Sequence, residues 1–357
     1  MKNKINLGRS GEWLKEKLLQ IGNPLLAILI AFLMGGLMVM LSGDDPFDTY
    51  ATLLRGAFGS ITSIQNTVRY TIPIVLLAYS FSICNRCGYF NISHESQLYS
   101  SVLAMSIVSE VTVGAPSWLR LFLMMTVACA AGAVACIIPA LAKFKLGVSE
   151  VVVGVMMNYL MAYLTKHMIA FSFIAQEGSS SIMSKTIPES IGFYSILVST
   201  LVIVMVYQFI LKKTIPGYRL TVVGKNTRFS TACGLPSMKI LLRAAAMGGV
   251  LTGICAIGEM LGYYHIIYAD FAADMGFNGM TAALIGADGA IGMCLGALLL
   301  GALRSGSVLM TVVSNVPAEL VECVQGFVMF FATLNILQPG RIKKKKSVRR
   351  TKLAEGK

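Results

Sequence analysis

Charged residues are scarce in this chain. They make up 13% of its 357 residues, where a soluble globular chain carries roughly 25%. No gap between its apolar runs is long enough for a large soluble domain. The shortage of charge and the repeated apolar runs of about 20 residues indicate a polytopic α-helical membrane protein. Those runs are unbroken and lack strict alternation, which excludes a membrane β-barrel. The first run is too long for a signal peptide and has no small-residue cleavage site, so it reads as a retained span.

Groups that perform chemistry are equally scarce. The three histidines, His94, His167 and His265, are dispersed and do not suggest a metal site. Four of the eight cysteines (Cys129, Cys136, Cys255 and Cys294) fall inside apolar runs and act there as small apolar residues. Cys84 and Cys87 form a single Cys-x-x-Cys with no second pair and no histidine cluster, which argues against zinc. There is no Gly-x-x-x-x-Gly-Lys-Ser/Thr phosphate loop, no His-Glu-x-x-His and no Gly-x-Ser-x-Gly. Besides Glu95, the deep acids are Glu259 and Glu322, and neither has a histidine three or four residues away. An intramembrane enzyme would need such a pair. Glu259 reads as a structural acid held by span packing.

Positive charge is abundant. The net charge is +13, and the positive-inside rule accounts for it better than nucleic-acid binding does. Residues 1–20 mix Trp13, Leu14, Leu18 and Leu19 with Lys15, Glu16 and Lys17, the pattern of a short interfacial helix. Ten spans are expected, at 24–41, 71–83, 91–108, 119–141, 151–163, 194–211, 240–261, 280–285, 291–310 and 317–337. The expected domains are an amphipathic cytoplasmic segment at 1–20, a transmembrane domain at 21–338 and a basic cytoplasmic tail at 339–357. An acidic loop with Asp44, Asp45 and Asp48 follows the first span and ends in Gly56-Ala57-Phe58-Gly59-Ser60. With an even span count and the N-terminus inside, most lysines and arginines fall inside, and Arg55, Arg69, Arg120, Lys166, Lys185 and Arg304 are the remainder.

The eighth run is too short to cross about 30 Å of hydrocarbon at about 1.5 Å per residue. Glycines 292, 296, 301 and 306 in the ninth suit close helix packing. The 212–239 stretch carries Lys212, Lys213, Arg219, Lys225, Arg228 and Lys239 and no acid. Within it a short helix bounded by Gly and Pro could dock a cytosolic partner. The other reading is a solvated basic loop that only sets topology.

The stretch at 86–98 organises the chain. It places Asn91, His94, Glu95 and Gln97 at the junction of two apolar segments. Polar groups there must face a cavity or a partner, unless the stretch is an ordinary surface loop. Gly88-Tyr89-Phe90-Asn91 at the inner end of span two and Gly276-Phe277-Asn278-Gly279 at the outer end of span eight are opposed, as an inverted repeat of broken helices would require. The alternative is coincidence between two four-residue matches. The expected fold class is therefore all-α: a multi-pass membrane protein of about ten helices with a broken-helix inverted repeat.

Several segments, in this order and spacing, resemble a known family. They are Asp45-Pro46 with Tyr50, Gly88-Tyr89-Phe90-Asn91-Ile92 with Glu95 and Gln97-Leu98, and Gly147-Val148-Ser149-Glu150 with Met157-Asn158-Tyr159. Gly258-Glu259, Gly276-Phe277-Asn278-Gly279 with Ala283-Leu284-Ile285-Gly286, and Val316-Pro317 with Gln325-Gly326 complete the set. Over residues 24–337 the chain resembles the permease subunits of bacterial ABC importers of the simple-sugar and nucleoside group, most closely the members served by lipoprotein receptors of the basic membrane protein family.

That resemblance implies a multi-pass subunit in the bacterial cell membrane with both termini cytoplasmic. Its expected partners are an ABC ATPase, a second and non-identical permease subunit, a substrate-binding lipoprotein and the lipid bilayer, with no nucleic acid. The permease would perform no chemistry and need no cofactor, because ATP binds the partner subunit. The substrate path is expected along Asn91, Glu95, Gln97, Asn158, Phe277 and Asn278. Asn and Gln can pair with a base or with sugar hydroxyls, and Phe277 can stack on a ring. The ATPase-coupling segment is expected at Gly224, Asn226, Arg228, Phe229 and Gly234. It departs from the family in having Arg228-Phe229-Ser230 where an acidic and alanine-bearing core is expected. Ser93 and Ser96 stand where the family has glycines, and His94 where it has a small residue, so that His94 either alters substrate choice or lines the inner surface. The alternative function is a secondary transporter or channel for a small polar solute.

Overall fold

The computed structural model describes residues 29–41, 43–176, 178, 182–286 and 289–313, with 322, 323, 326, 327, 330 and 331. The expected segments at 1–20 and 339–357, and most of the expected span at 317–337, lie outside the described residues. The described chain is helical, with two isolated β-bridges, Ala175 to Ser184 and Met183 to Tyr268. In order the helices are α1 (Leu29–Leu41), α2 (Pro46–Phe58), α3 (Ile61–Arg86), α4 (His94–Val111), α5 (Ser117–Leu141), α6 (Glu150–Phe171) and α7 (Phe193–Lys213). They continue as α8 (Ile215–Lys225), α9 (Thr227–Ala232), α10 (Ser237–Glu259), α11 (Met275–Ile285) and α12 (Ala290–Val313). Single π-turns extend α5 through Ala142–Leu146 and α10 through Met260–Tyr264.

Among the described residues, five helices are long and apolar enough to cross a membrane, and six if α1 and α2 count as one bent span. That is fewer than ten. α4 carries His94, Glu95, Gln97 and Glu110, and α11 has only 11 residues.

One further expectation is corrected. The acidic loop is largely helix: Asp45 accepts from Phe47 N at 2.8 Å and Pro46 occupies the first turn of α2. A capping Asp followed by Pro is a helix start, and that signal was present in the sequence. The basic 212–239 stretch does hold a short helix between Gly224 and Pro236, α9, preceded by α8, so of its two readings the solvated loop falls.

The chain divides into two compact units, Thr67–Gly301 and Met1–Asn66 with Ala302–Lys357. The first holds the main core, in which Leu76, Leu98, Val102, Met124, Ala128, Ala256 and Met260 are buried. α5 and α10 approach to backbone contact, because a Cβ on Gly132 would meet the Gly249 carbonyl and one on Gly249 would meet that of Gly132. Serines tie the helices together: Ser101 Oγ donates to Ala128 O at 2.9 Å and Ser80 Oγ to Gly248 O at 2.8 Å. The α12 glycines behave as their spacing predicts, with Gly296 against Ala282 and Gly301 against Thr71. In the second unit Gly306 packs on Leu53, and Ser305 Oγ donates to Gly56 O at 3.3 Å.

Glu259 is the structural acid expected. It pairs with Arg69 at 3.4 Å, and the guanidinium lies 3.2 Å from the centre of the Tyr263 ring. Such a pair keeps both charges neutralised away from water.

Replacing Gly249 with Leu forces α5 and α10 apart. A loss of about 1–3 kcal/mol is expected for overpacking of this kind. It will be read as a lower thermal midpoint of the detergent-purified protein. An unchanged midpoint would contradict the close approach.

Candidate functional site

The site is built around the turn between α3 and α4. Gly88 takes a left-handed φ of 79° and reverses the chain. Tyr89 N then donates to Cys84 O at 3.0 Å, and Tyr89 is fully buried. Asn91 is the centre of the turn, with no exposed surface. Its Oδ1 accepts from Ser93 N at 3.1 Å, Ser93 Oγ at 2.9 Å and Gln97 Nε2 at 3.1 Å. Its Nδ2 lies 3.3 Å from His94 Nε2, which accepts and so leaves the ring proton on Nδ1. The four N–H groups that open any helix have no partner within it. Here Asn158, reaching across from α6, supplies one: its Oδ1 accepts from Ser96 N at 2.9 Å, while its Nδ2 donates to Ile92 O at 3.1 Å. Gly154, one turn earlier on α6, packs against Ser93, and a Cβ there would sit at an ordinary contact distance of 3.4 Å from Ser93 N.

α11 docks on the same helix start. A Cβ on Gly276 would lie 3.0 Å from His94 Cβ and 3.3 Å from Glu95 Cγ, and one on Gly279 would strike Leu77 of α3. At about 1.5 Å per residue the 11 residues of α11 reach only part of the way across a membrane.

Between α4, α6 and α11 lies a cavity of about 310 Å³. Its polar groups are Glu95, Tyr99, Tyr159, Tyr163, Lys166, Asp270 and Asp274, with Asn158 and Phe277 also in its wall. Lys166 Nζ is 2.7 Å from Asp270 Oδ1.

Of the six residues expected on a path, Glu95, Asn158 and Phe277 therefore line this cavity. Asn91 and Gln97 do not. Both are fully buried in the turn, where they hold the start of α4. Asn278 is half-buried on α11 and is not part of the wall. His94 is buried beside Asn91 and Phe81, so it lines neither the cavity nor an open inner surface. Sequence reasoning missed Tyr99, Tyr159, Tyr163, Lys166, Asp270 and Asp274. A signal existed for α6, because Val155, Asn158, Tyr159, Ala162, Tyr163 and Lys166 follow one helical face.

The opposite side of the turn meets α8. A Cβ on Gly224 would collide with the Arg86 carbonyl, and Gly88 lies against Gly224. Lys143, on the π-turn after α5, donates to Gly88 O at 2.6 Å and pairs with Glu150. Burial alone would raise the Glu150 carboxyl, but the Lys143 ammonium and backbone N–H donors, that of Phe90 among them, outweigh it and hold it below the usual range. Asn226 caps α9 by accepting from Phe229 N at 3.0 Å, and Gly234 closes it at φ 79°. Arg228 and Phe229 are exposed.

A family model described as branched-chain amino acid transport system, permease component, matches residues 63–333. The guanosine ABC transporter permease protein NupP of Bacillus subtilis (strain 168) is 31% identical over 338 residues, covering 90% of this chain and 96% of that protein. The nucleoside ABC transporter permease protein NupB of Lactococcus lactis subsp. cremoris (strain MG1363) is 27% identical, covering 91% of this chain and 94% of that one. The glucose ABC transporter permease protein TsgB13 of Haloferax volcanii is also 27% identical, with coverage of 88% and 87%. No solved structure matches.

Changing Asn158 to Leu strands a buried N–H on Ser96 and a carbonyl on Ile92. A buried unpaired group costs about 1–3 kcal/mol. The expected result is a lower thermal midpoint together with faster hydrogen exchange at the Ser96 amide. Unchanged exchange at Ser96 would show that Asn158 does not cap α4.

Proposed function

The chain belongs to the branched-chain amino acid transport system permease family, and from that premise we propose that it carries a nucleoside or simple sugar across the bacterial cell membrane. It is a multi-pass ABC transporter permease and a transporter subunit, not an enzyme. The observation that carries the substrate is the chain-long similarity to the guanosine and nucleoside permeases. The cavity between α4, α6 and α11, with ring faces and polar groups on its wall, supports it. No observation favours a secondary transporter.

In this reading the complete subunit has about ten spans and both termini are cytoplasmic. It works with a second, non-identical permease, an ABC ATPase and a receptor lipoprotein. It holds no cofactor, because ATP binds the ATPase. Glu95, Asn158 and Phe277 lie on the substrate path, and Asn91 and Gln97 hold the helix that carries Glu95. Asn278 lies on the same half-helix as Phe277. Gly224, Asn226, Arg228, Phe229 and Gly234 form the ATPase-coupling surface. Its basic Arg228 and exposed aromatic Phe229 suit a protein groove with acidic and apolar parts.

Closure of the ATPases would pull α9. Gly224 transmits the pull to Arg86 and Gly88, because backbone touches backbone there and no side chain can yield. The Asn91 turn then moves as a body with the start of α4, and Glu95 moves with it. Opening and closing of the path is thus a shift between two arrangements of the same helices, biased by ATP.

With Cys233 replaced by serine, a cysteine at Thr227 or Thr231 is expected to cross-link to the ATPase, and one at Asp45 is not. Equal labelling at the three positions would place the coupling surface elsewhere. Gly224→Ala is expected to leave assembled complexes that hydrolyse ATP with uptake reduced about tenfold, a coupling loss of about 1.4 kcal/mol. Hydrolysis and uptake falling in equal proportion would mean that Gly224 serves assembly alone.

A further inference from the structure

The cavity between α4, α6 and α11 is unevenly charged. Three carboxylates, Glu95, Asp270 and Asp274, face one ammonium, Lys166. Asp270 already holds that ammonium. Among the described residues, neither Glu95 nor Asp274 has a cationic partner. Both sit at helix starts, Glu95 in the first turn of α4 and Asp274 immediately before α11. The amide of Asn158 is engaged with backbone, so it adds no free donor. The rest of the wall is ring surface from Tyr99, Tyr159, Tyr163 and Phe277 with the small apolar Val155, Ala162 and Ala273. The cavity thus offers carboxylate acceptors, tyrosine hydroxyls and aromatic faces, and its single cation is already paired.

We propose that this cavity reads adjacent hydrogen-bond donors on an uncharged nucleoside through the Glu95 and Asp274 carboxylates, and turns away phosphorylated forms. The proposal rests on the substrate reading above and deepens it. A carboxylate is acceptor-only and can take two parallel donors at once. A nucleoside carries such pairs in two places, the N1–H and exocyclic amine of a guanine-type base and the cis-diol of its ribose. A phosphate would meet two like charges with no free cation. Like charges repel it there.

The test is uptake by the assembled importer in proteoliposomes, with both permeases, the ATPase and the receptor present. The ligands are guanosine, inosine without the amine, 2′,3′-dideoxyguanosine without the diol, and guanosine 5′-monophosphate. Guanosine is expected to enter about tenfold faster than the analogue lacking the donors that are read, the factor for one charge-assisted pair. Which analogue lags tells base edge from diol. Glu95→Gln and, separately, Asp274→Asn should bring that ratio within about twofold per assembled complex. The receptor is the same throughout, so a changed ratio belongs to the permease. Asp274 is exposed and at φ 61°, a conformation Asn also tolerates, so the second variant stands if the first fails to fold. A ratio unchanged in a folded variant, or monophosphate entering as fast as guanosine, overturns the proposal. Absence of any nucleoside uptake by the wild-type importer removes the substrate reading itself, an outcome that depends on neither variant.

Discussion

A helix that begins buried inside a protein needs partners for its first N–H groups, because no water reaches them. α4 meets this demand with side chains from its own turn and from α6. Asn158 bonds Ser96 and Ile92, and Asn91 gathers Ser93, Gln97 and His94. Much else follows from that cap. It holds Glu95 toward the cavity, it ties α6 to α4, and it fixes the turn that α8 touches from the other side. The polar residues that make 86–98 conspicuous are mainly the cost of starting a helix there.

Glycine sets the spacing around that cap. Helices in a bilayer gain little from burying apolar surface against each other, so close backbone approach and short polar bonds bind them. Gly132 with Gly249, Gly276 with His94 and Gly279 with Leu77 are such approaches. Ser80 and Ser101 add bonds to carbonyls of neighbouring helices. Gly224 against Arg86 belongs to the same class and has a mechanical consequence. A glycine contact has no side chain to absorb motion, so displacement of α8 must move the turn.

The cavity and the turn divide the polar residues between them. Asn91, Gln97 and His94 are fully buried and satisfied by one another, apart from Gln97 Oε1, which has no partner among the described residues. Glu95, Asp274 and Lys166 face open volume. The first group makes the second possible, since only a rigid helix start can hold a charge at a fixed place in a cavity.

The sequence by itself determined the class. Low charge, long apolar runs and glycine spacing depend on composition and period, and both survive in one dimension. It also located the 86–98 and 276–279 stretches, the 212–239 segment and the family. It did not yield α2, whose Asp45-Pro46 start was present but outweighed by the neighbouring acids, nor the full lengths of α3 and α6. Only the tertiary structure decided which polar residues cap and which face the cavity. Asn91 and Glu95 are four residues apart and look alike as polar groups in an apolar chain. What separates them is α6 and α11, whose Asn158 and Gly276 are 67 and 185 positions from Asn91. A residue's partner across such a distance is a property of packing, and no local pattern encodes it.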